Sequence, residues 1–333
     1  MDIAPLDLRA EPNFAAFLDL HRDSHTADRP ESPHTDPETL RALLTHLHPG
    51  KTSEYHGVWR DGRLVAAALM FLPGLDNRDV VELEGSVRPS ARRTGLGRAL
   101  FAHVARRARE LGRDVVLVNA VSPIEGSPLA RSEGPGMFCA AMGMRAVLGD
   151  VRSRLDVPGE PPAADPVPGG YRLVQWTDGL PGDPPAEYLE DLAELATRMS
   201  TDSPQGDLDT EVEVYDPARI LAWAATARAA GRTEIHSGVV DEATGRLVGW
   251  TALSAGRDTE HATQGYTIVA AEHRGHGLGR VLKTANLAQA KGLRPHLRTI
   301  DTYNAEVNGA MRAVNASLGF TDLDRTVHFR ARL

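Results

Sequence analysis

Two stretches of this chain join arginine, glycine and the start of a helix in an order suited to holding phosphate. The first reads Val87-Arg88-Pro89-Ser90-Ala91-Arg92-Arg93-Thr94-Gly95-Leu96-Gly97 and runs into Arg98-Ala99-Leu100-Phe101. The second reads Val269-Ala270-Ala271-Glu272-His273-Arg274-Gly275-His276-Gly277-Leu278-Gly279 and runs into Arg280-Val281-Leu282-Lys283. In each, a strand ends, a basic glycine-bearing turn follows, and an amphipathic helix begins. Main-chain N–H groups then converge at a helix N-terminus, which suits a phosphate or pyrophosphate. No Gly-x-x-x-x-Gly-Lys-Ser/Thr string occurs, so a P-loop is excluded.

Groups able to move protons lie on the strands that lead into these turns. Glu82 and Glu84 alternate onto one strand face, where they serve as a base or as solvent-facing carboxylates. The equivalent second strand offers Gln264 and Tyr266, with His261 just before it in a polar loop. Tyr303 and Asn304 end a later strand, and Asn304 either meets a substrate or caps the next helix. Among the N-terminal histidines only His21 and His25 have i, i+4 spacing, and no metal site is expected there. Cys139, the single cysteine, reads as a buried inert thiol and excludes an intramolecular disulfide.

The elements that must position these groups repeat in order. In the first half the Asp61-Gly62 turn joins a hairpin within Gly57–Phe71. Asp79–Arg88 is a strand, the helix after the turn runs to about Gly112, and Val115–Asn119 is a short strand. A helical turn near Met137–Met142 and a strand over Ala146–Val157 follow. In the second half Ile235–Asp241 and Arg246–Leu253 form the hairpin, and Tyr266–Val269 leads to the turn. Leu278–Lys291 is a helix, Arg298–Tyr303 a strand, Asn308–Leu318 a helix and Phe320–Arg332 the closing strand. Turn glycine to motif glycine spans 33 residues in the first half (95 − 62) and 32 in the second (277 − 245), which argues for a duplicated fold. Because each turn follows a third strand after an antiparallel hairpin, a dinucleotide fold is also excluded. Helical material precedes each hairpin, at 36–48, 187–198 and 217–230. The polar loop Ser200–Asp209 is placed to close over a substrate or is simply solvated. The Pro/Gly-rich stretch 158–170 separates a domain at 1–157 from one at 171–333.

Bulk properties narrow the function classes. A net charge of −8 and a pI near 5.9 argue against a general nucleic-acid or anionic-membrane binder. No apolar run is long enough to span a bilayer and no secretory signal opens the chain, so a cytoplasmic protein is expected, monomeric or homodimeric.

The pattern Arg-x-x-Gly-x-Gly after Val-x-Pro or its equivalent resembles the pyrophosphate motif of the GNAT acyltransferase superfamily. The resemblance covers both halves and identifies a tandem protein of the actinobacterial type. It implies an α/β fold of two mixed, mostly antiparallel, splayed sheets flanked by helices, and acetyl-CoA as cofactor. Arg92, Arg93, Thr94, Gly95, Leu96 and Gly97 would hold the pyrophosphate in the first half. Arg274, Gly275, His276, Gly277, Leu278 and Gly279 would do so in the second. Main chain near Val87, or near Thr267 and Val269, would bind the thioester carbonyl. The later signature, Asn-x-x-Ala-x-x-x-Tyr-x-x-x-Gly-Phe, is met by Asn308, Met311, Asn315, Gly319 and Phe320. Asn308 and Asn304 would then touch the pantetheine region. Asn315 occupies the place of the tyrosine that protonates the leaving thiolate, and an amide is not a general acid. In the first half that place holds Cys139. The resemblance implies an N-acetyltransferase acting by direct attack of a primary amine of a small molecule or peptide. A non-catalytic acyl-CoA-binding or regulatory protein, a thioester hydrolase and an O-acyltransferase are the alternatives on the same fold.

Overall fold

The structure is a computed structural model that describes residues 2–32, 34–160, 163–178, 184–257 and 259–333. In chain order the elements are β1 (Ala4–Pro5), α1 (Glu11–Asp28), α2 (Pro37–Thr45), β2 (Lys51–Arg60), β3 (Arg63–Pro73), β4 (Val80–Val87), α3 (Leu96–Glu110), β5 (Val115–Ser122), α4 (Gly134–Ala141) and β6 (Arg145–Asp156). There follow β7 (Tyr171–Thr177), α5 (Leu189–Asp202), α6 (Pro217–Ala229), β8 (Thr233–Asp241), β9 (Leu247–Ala255), β10 (His261–Val269), α7 (Leu278–Leu293), β11 (Thr299–Ala305), α8 (Gly309–Ser317) and β12 (Thr321–Arg332). They fall into two compact units. One contains residues 1–150, 206–211 and 324–333, and the other residues 151–205 and 212–323.

In the first unit β1 to β5 lie side by side in chain order, antiparallel except for the parallel β4–β5 pair. The run Leu64–Met70 is buried almost without interruption because both faces of β3 are covered. Ala67 and Leu69 pack with Phe17, Leu20, Leu40 and Leu44 of α1 and α2. Ala66, Ala68 and Met70 pack with Leu96, Leu100, Val104 and Ala108, the i, i+4 stripe of α3. The Asp61-Gly62 turn has positive φ at both residues (49° and 74°), as a tight two-residue hairpin demands.

The second unit repeats the plan. β7, β8, β9 and β10 are antiparallel neighbours, and β10 runs parallel to β11. Leu278 and Leu282 pack under Val239, Val248 and Ile268. Leu287 joins Ile235, Leu253, Ile300 and Phe320. Asn286, fully buried on α7, is satisfied by the Ser237 hydroxyl and the Ile235 carbonyl.

Five expectations need correction. β12 does not close the second half: Arg325–Arg332 pairs antiparallel with Ser122–Val115 of β5, and Phe329 and Ala331 enter the first-unit core. The later part of β6, with Leu155, belongs instead to the second unit. His21 and His25 lie on α1, an 18-residue helix that sequence reading missed. It begins with Pro12 near its N-terminus and has no side-chain cap to announce it. His261 is in β10, not in a loop. The stretch Ser200–Asp209 is not one open loop, since Ser200–Asp202 complete α5. Asp207 N–H donates to the Val147 carbonyl, and Glu211 exchanges two 2.7 Å bonds with Asn77 in the first unit. The linker is likewise held. Asp165 pairs with Arg280 of α7 at 2.7 Å, and its N–H donates to Thr284 Oγ1.

Candidate functional site

Both glycine turns enter their helices the same way. Gly95 and Gly277 are the residues before α3 and α7, with φ of +86° and +74°, and neither helix has a side-chain cap. Arg93 (φ +64°) and Gly275 (φ +86°) occupy the preceding left-handed position. That conformation turns successive N–H groups to one side. Among the described residues, no main-chain acceptor is recorded for the N–H groups of Gly275, His276, Gly277, Leu278 and Gly279. The same is true of Arg93, Thr94, Gly95, Leu96 and Gly97. Side chains brace the turn from behind. Thr94 Oγ1 donates to the Ala91 carbonyl at 2.8 Å, and His276 Nδ1 to the His273 carbonyl at 3.2 Å.

The motif arginines are engaged within the protein. Arg92 Nε donates to the Val87 carbonyl at 3.0 Å, and its two terminal nitrogens clasp Asp28, the last residue of α1, at 2.7 Å each. Arg274 Nε donates to the Val269 carbonyl at 3.0 Å and pairs with Asp202, the last residue of α5. These cations therefore stiffen the turn that presents the N–H groups.

The strands beside each turn diverge. β4 pairs with β5 only from Val80 to Leu83, and β10 with β11 only from His261 to Thr263. Past those points each parallel pair opens into a gap. The N–H of Ala270 donates to Val248, so by strand alternation the N–H groups of Val269 and Thr267 turn away from β9 toward the gap. In the first unit Arg88 N–H donates to Val65, which turns the Val87 N–H the same way.

The two units differ at three points. β10 carries a β-bulge: Gln264 pairs with Leu253 but Thr267 pairs with Thr251, leaving one extra residue at Gly265–Tyr266. Gln264 Nε2 satisfies the Ala252 carbonyl (2.6 Å) and Thr251 Oγ1 satisfies the Tyr266 carbonyl (3.1 Å). β4 keeps unbroken register with β3 over Glu82–Val87. A Cβ placed on Gly279 meets nothing within 4 Å, whereas one on Gly97 lies 3.0 Å from the Phe138 ring of α4. Arg93 stands where the second turn has Gly275. Both strands carry a glycine at this point, Gly85 and Gly265, so the glycine alone did not announce the bulge.

The proposed chemical groups divide accordingly. Glu82 pairs with Lys51 at 2.6 Å. Glu84 is solvent-accessible yet hemmed in, and desolvation followed by the Glu82 charge raises its pKa. Tyr266 stacks on Trp223 (5.2 Å between centroids) and leans on Trp250 (5.5 Å). His261 is held by Thr299 Oγ1 at 2.9 Å, and burial lowers its pKa. Cys139 is buried and its thiol is pushed up to about 11. The N-cap of α8 is Asn308, whose side chain accepts from Met311 N–H; Asn304 is not a cap. Instead Asn304 Oδ1 accepts from Asn315 Nδ2 at 2.5 Å.

The chain belongs to the GNAT acetyltransferase family. Residues 5–117 match the model of an acetyltransferase (GNAT) domain, and residues 192–320 that of the acetyltransferase (GNAT) family. A tandem GNAT protein from the clavulanic acid biosynthesis pathway, solved without AcCoA, is 30% identical over 99% of this chain and 98% of its own, with a TM-score of 0.83. A GCN5-related N-acetyltransferase from Sphaerobacter thermophilus shares the fold at 18% identity, over 99% and 95% of the two chains (TM-score 0.68). A putative acetyltransferase from Pyrococcus horikoshii does so at 14% identity, over 100% and 89% (TM-score 0.57). No curated protein sequence matches. Among the described residues, no helix is long and apolar enough to cross a membrane.

Proposed function

We propose that the protein is an N-acyltransferase that binds acetyl-CoA in the second unit and passes its acetyl group to a primary amine. The observation that carries this reading is the row of uncommitted N–H groups from Gly275 to Gly279 beside the β10–β11 gap. A pyrophosphate fits that cradle, because its oxygens accept from these donors at a helix N-terminus and open space lies over Gly275, Gly277 and Gly279. Thr267 and Val269 would meet the thioester arm in the gap, and the Val269 N–H would hold the oxygen that gains negative charge when the amine attacks. Asn304 and Asn308 would touch the pantetheine region. The bulge and the open space at Gly279 favour the second unit as the productive one. Phe138 crowding Gly97 makes the first a weaker binder.

Acetyl-CoA titrated calorimetrically into the protein tests this. Gly279→Glu is the cleaner variant, since its added side chain enters open space, whereas Gly277 has a left-handed φ that any substitution strains. Loss of binding in Gly279→Glu, with the melting transition kept, is expected; unchanged affinity refutes the assignment.

A second reading, acyl-CoA binding without turnover, is favoured by Asn315, an amide tied to Asn304 where an acid is needed. Free-thiol release on mixing acetyl-CoA with amines decides between the two.

A further inference from the structure

Lys283 is a lysine without a partner. It lies on α7, four residues beyond Gly279, and so about 6 Å along the helix from the last N–H of the cradle. It is 4% exposed, and among the described residues no carboxylate, carbonyl or hydroxyl bonds its amine. What the amine meets is the Phe320 ring, 5.6 Å to the centroid. In the first unit the same place, five residues after the helix start, holds Phe101, which packs against that unit's core. An apolar side chain thus serves the position, so packing does not explain an amine there. The arginines near the cradle are already matched. Arg274 pairs with Asp202. Of the elements around Lys283, α7 brings Arg280 and the linker brings Asp165, and these two pair at 2.7 Å. α8 brings the Ser317 hydroxyl, which accepts from Arg280 at 2.7 Å, and the start of β12 brings Asp322, paired with Arg312 at 2.8 Å. None of these charges acts on the amine; burial alone drops its pKa to about 7.

We propose that Lys283 is an electrostatic partner of the bound diphosphate, and that acetyl-CoA enters the second unit together with a proton that settles on the Lys283 amine. This rests on the acetyl-CoA reading of that unit. A buried amine with no partner sheds its proton, because the water that would hold the ammonium has been replaced by hydrocarbon. Side chains of a helix leave the main chain tilted toward its N-terminus, so the stem of Lys283 sets out toward the cradle. A diphosphate over Gly275–Gly279 brings two negative charges to on the order of 10 Å from the amine. At an effective dielectric constant of about 20 that field favours the charged amine by a factor on the order of a hundred. The proton comes from solvent and no covalent bond changes. When coenzyme A leaves, the amine returns the proton to water.

The test is calorimetric titration of acetyl-CoA into the full chain, repeated at pH 8 in buffers of different ionisation enthalpy, which counts protons taken up on binding. Wild type is expected to take up most of one proton per cofactor bound. Its Kd should rise about tenfold or more between pH 7 and pH 9, because the free protein must first regain the proton. Lys283→Met should take up none and bind more weakly at pH 7. Its Kd should change less than about twofold over the same range, so that the two proteins converge near pH 9. An ordinary histidine is neutral and a phosphate fully ionised at pH 8, so neither supplies the signal. Uptake that persists in Lys283→Met, or wild type that binds without uptake, overturns the proposal and leaves the cofactor site standing. Wild type that does not bind acetyl-CoA overturns the cofactor reading, and this inference with it.

Discussion

Arg274 donates from Nε to the carbonyl of Val269 at 3.0 Å, and so lashes the end of β10 to the turn that follows it. Arg92 and Val87 repeat the bond in the first unit. The guanidinium thereby occupies the carbonyl of the residue whose N–H faces the gap, and holds the Val269–Ala270 peptide where the strand passes into the turn.

Arg274→Lys retains the charge but loses the planar fork that reaches both Val269 and Asp202. Acetyl-CoA affinity measured by calorimetry is expected to fall about tenfold, roughly 1.4 kcal/mol. An affinity equal to wild type would mean that the main chain needs no such brace.

Lys283 is buried on α7 over the Phe320 ring at 5.6 Å, and burial drops its pKa from 10.5 to about 7. Below about pH 7 it is charged in both the folded and the unfolded chain, so folding carries the full cost of burying the ammonium. Between about pH 7 and 10.5 only the unfolded chain holds the proton, and stability rises with pH. Lys283→Met should therefore be more stable than wild type at pH 6, by about a few kcal/mol, and melt higher. The advantage should shrink toward pH 10. Thermal unfolding at the two pH values is the check.

Along α1 and just past its end, His21, His25 and His34 meet as tilted rings, with centroids 6.0 and 4.7 Å apart. Burial, then the neighbouring His34 and His21 charges, lower the His25 pKa from 6.5 to about 4. The unfolded chain binds this proton between about pH 6.5 and 4 while the folded chain does not, so stability is lost across that window as pH falls. His25→Gln should flatten the drop in melting temperature between pH 7 and 5. A parallel drop in both proteins would rule this out.

Arg131 and Asp324 pair at 2.7 Å with both side chains almost fully buried. Arg131 also pairs with Glu31, so Asp324→Ala removes one charge-assisted buried bond while a second carboxylate remains, and should cost about 1.5–3 kcal/mol. Ending the chain at residue 320 should be more severe, because β5 loses its antiparallel neighbour and the core loses Phe329 and Ala331. A separately expressed 1–157 segment is expected not to give a cooperative unfolding transition; a sharp one in calorimetry would contradict this.

How much of this the sequence disclosed follows from the range of each interaction. The glycine turns were legible because left-handed φ and a helix start are local, and Gly95 and Gly277 adopt both. The hairpins were legible from Asp61-Gly62 and Gly245 for the same reason. The pairing of β12 with β5 joins residues some two hundred apart, and no alternation pattern specifies a strand's neighbour. The bracing of Val269 by Arg274 was hidden because a basic residue in a phosphate turn reads as a ligand contact.

Because the terminal ribbon of each half is lodged in the other, the duplication is no longer separable. A chain that lost the closing strand would leave β5 with a raw edge. Neither half, taken alone, holds the residues its own core is built from.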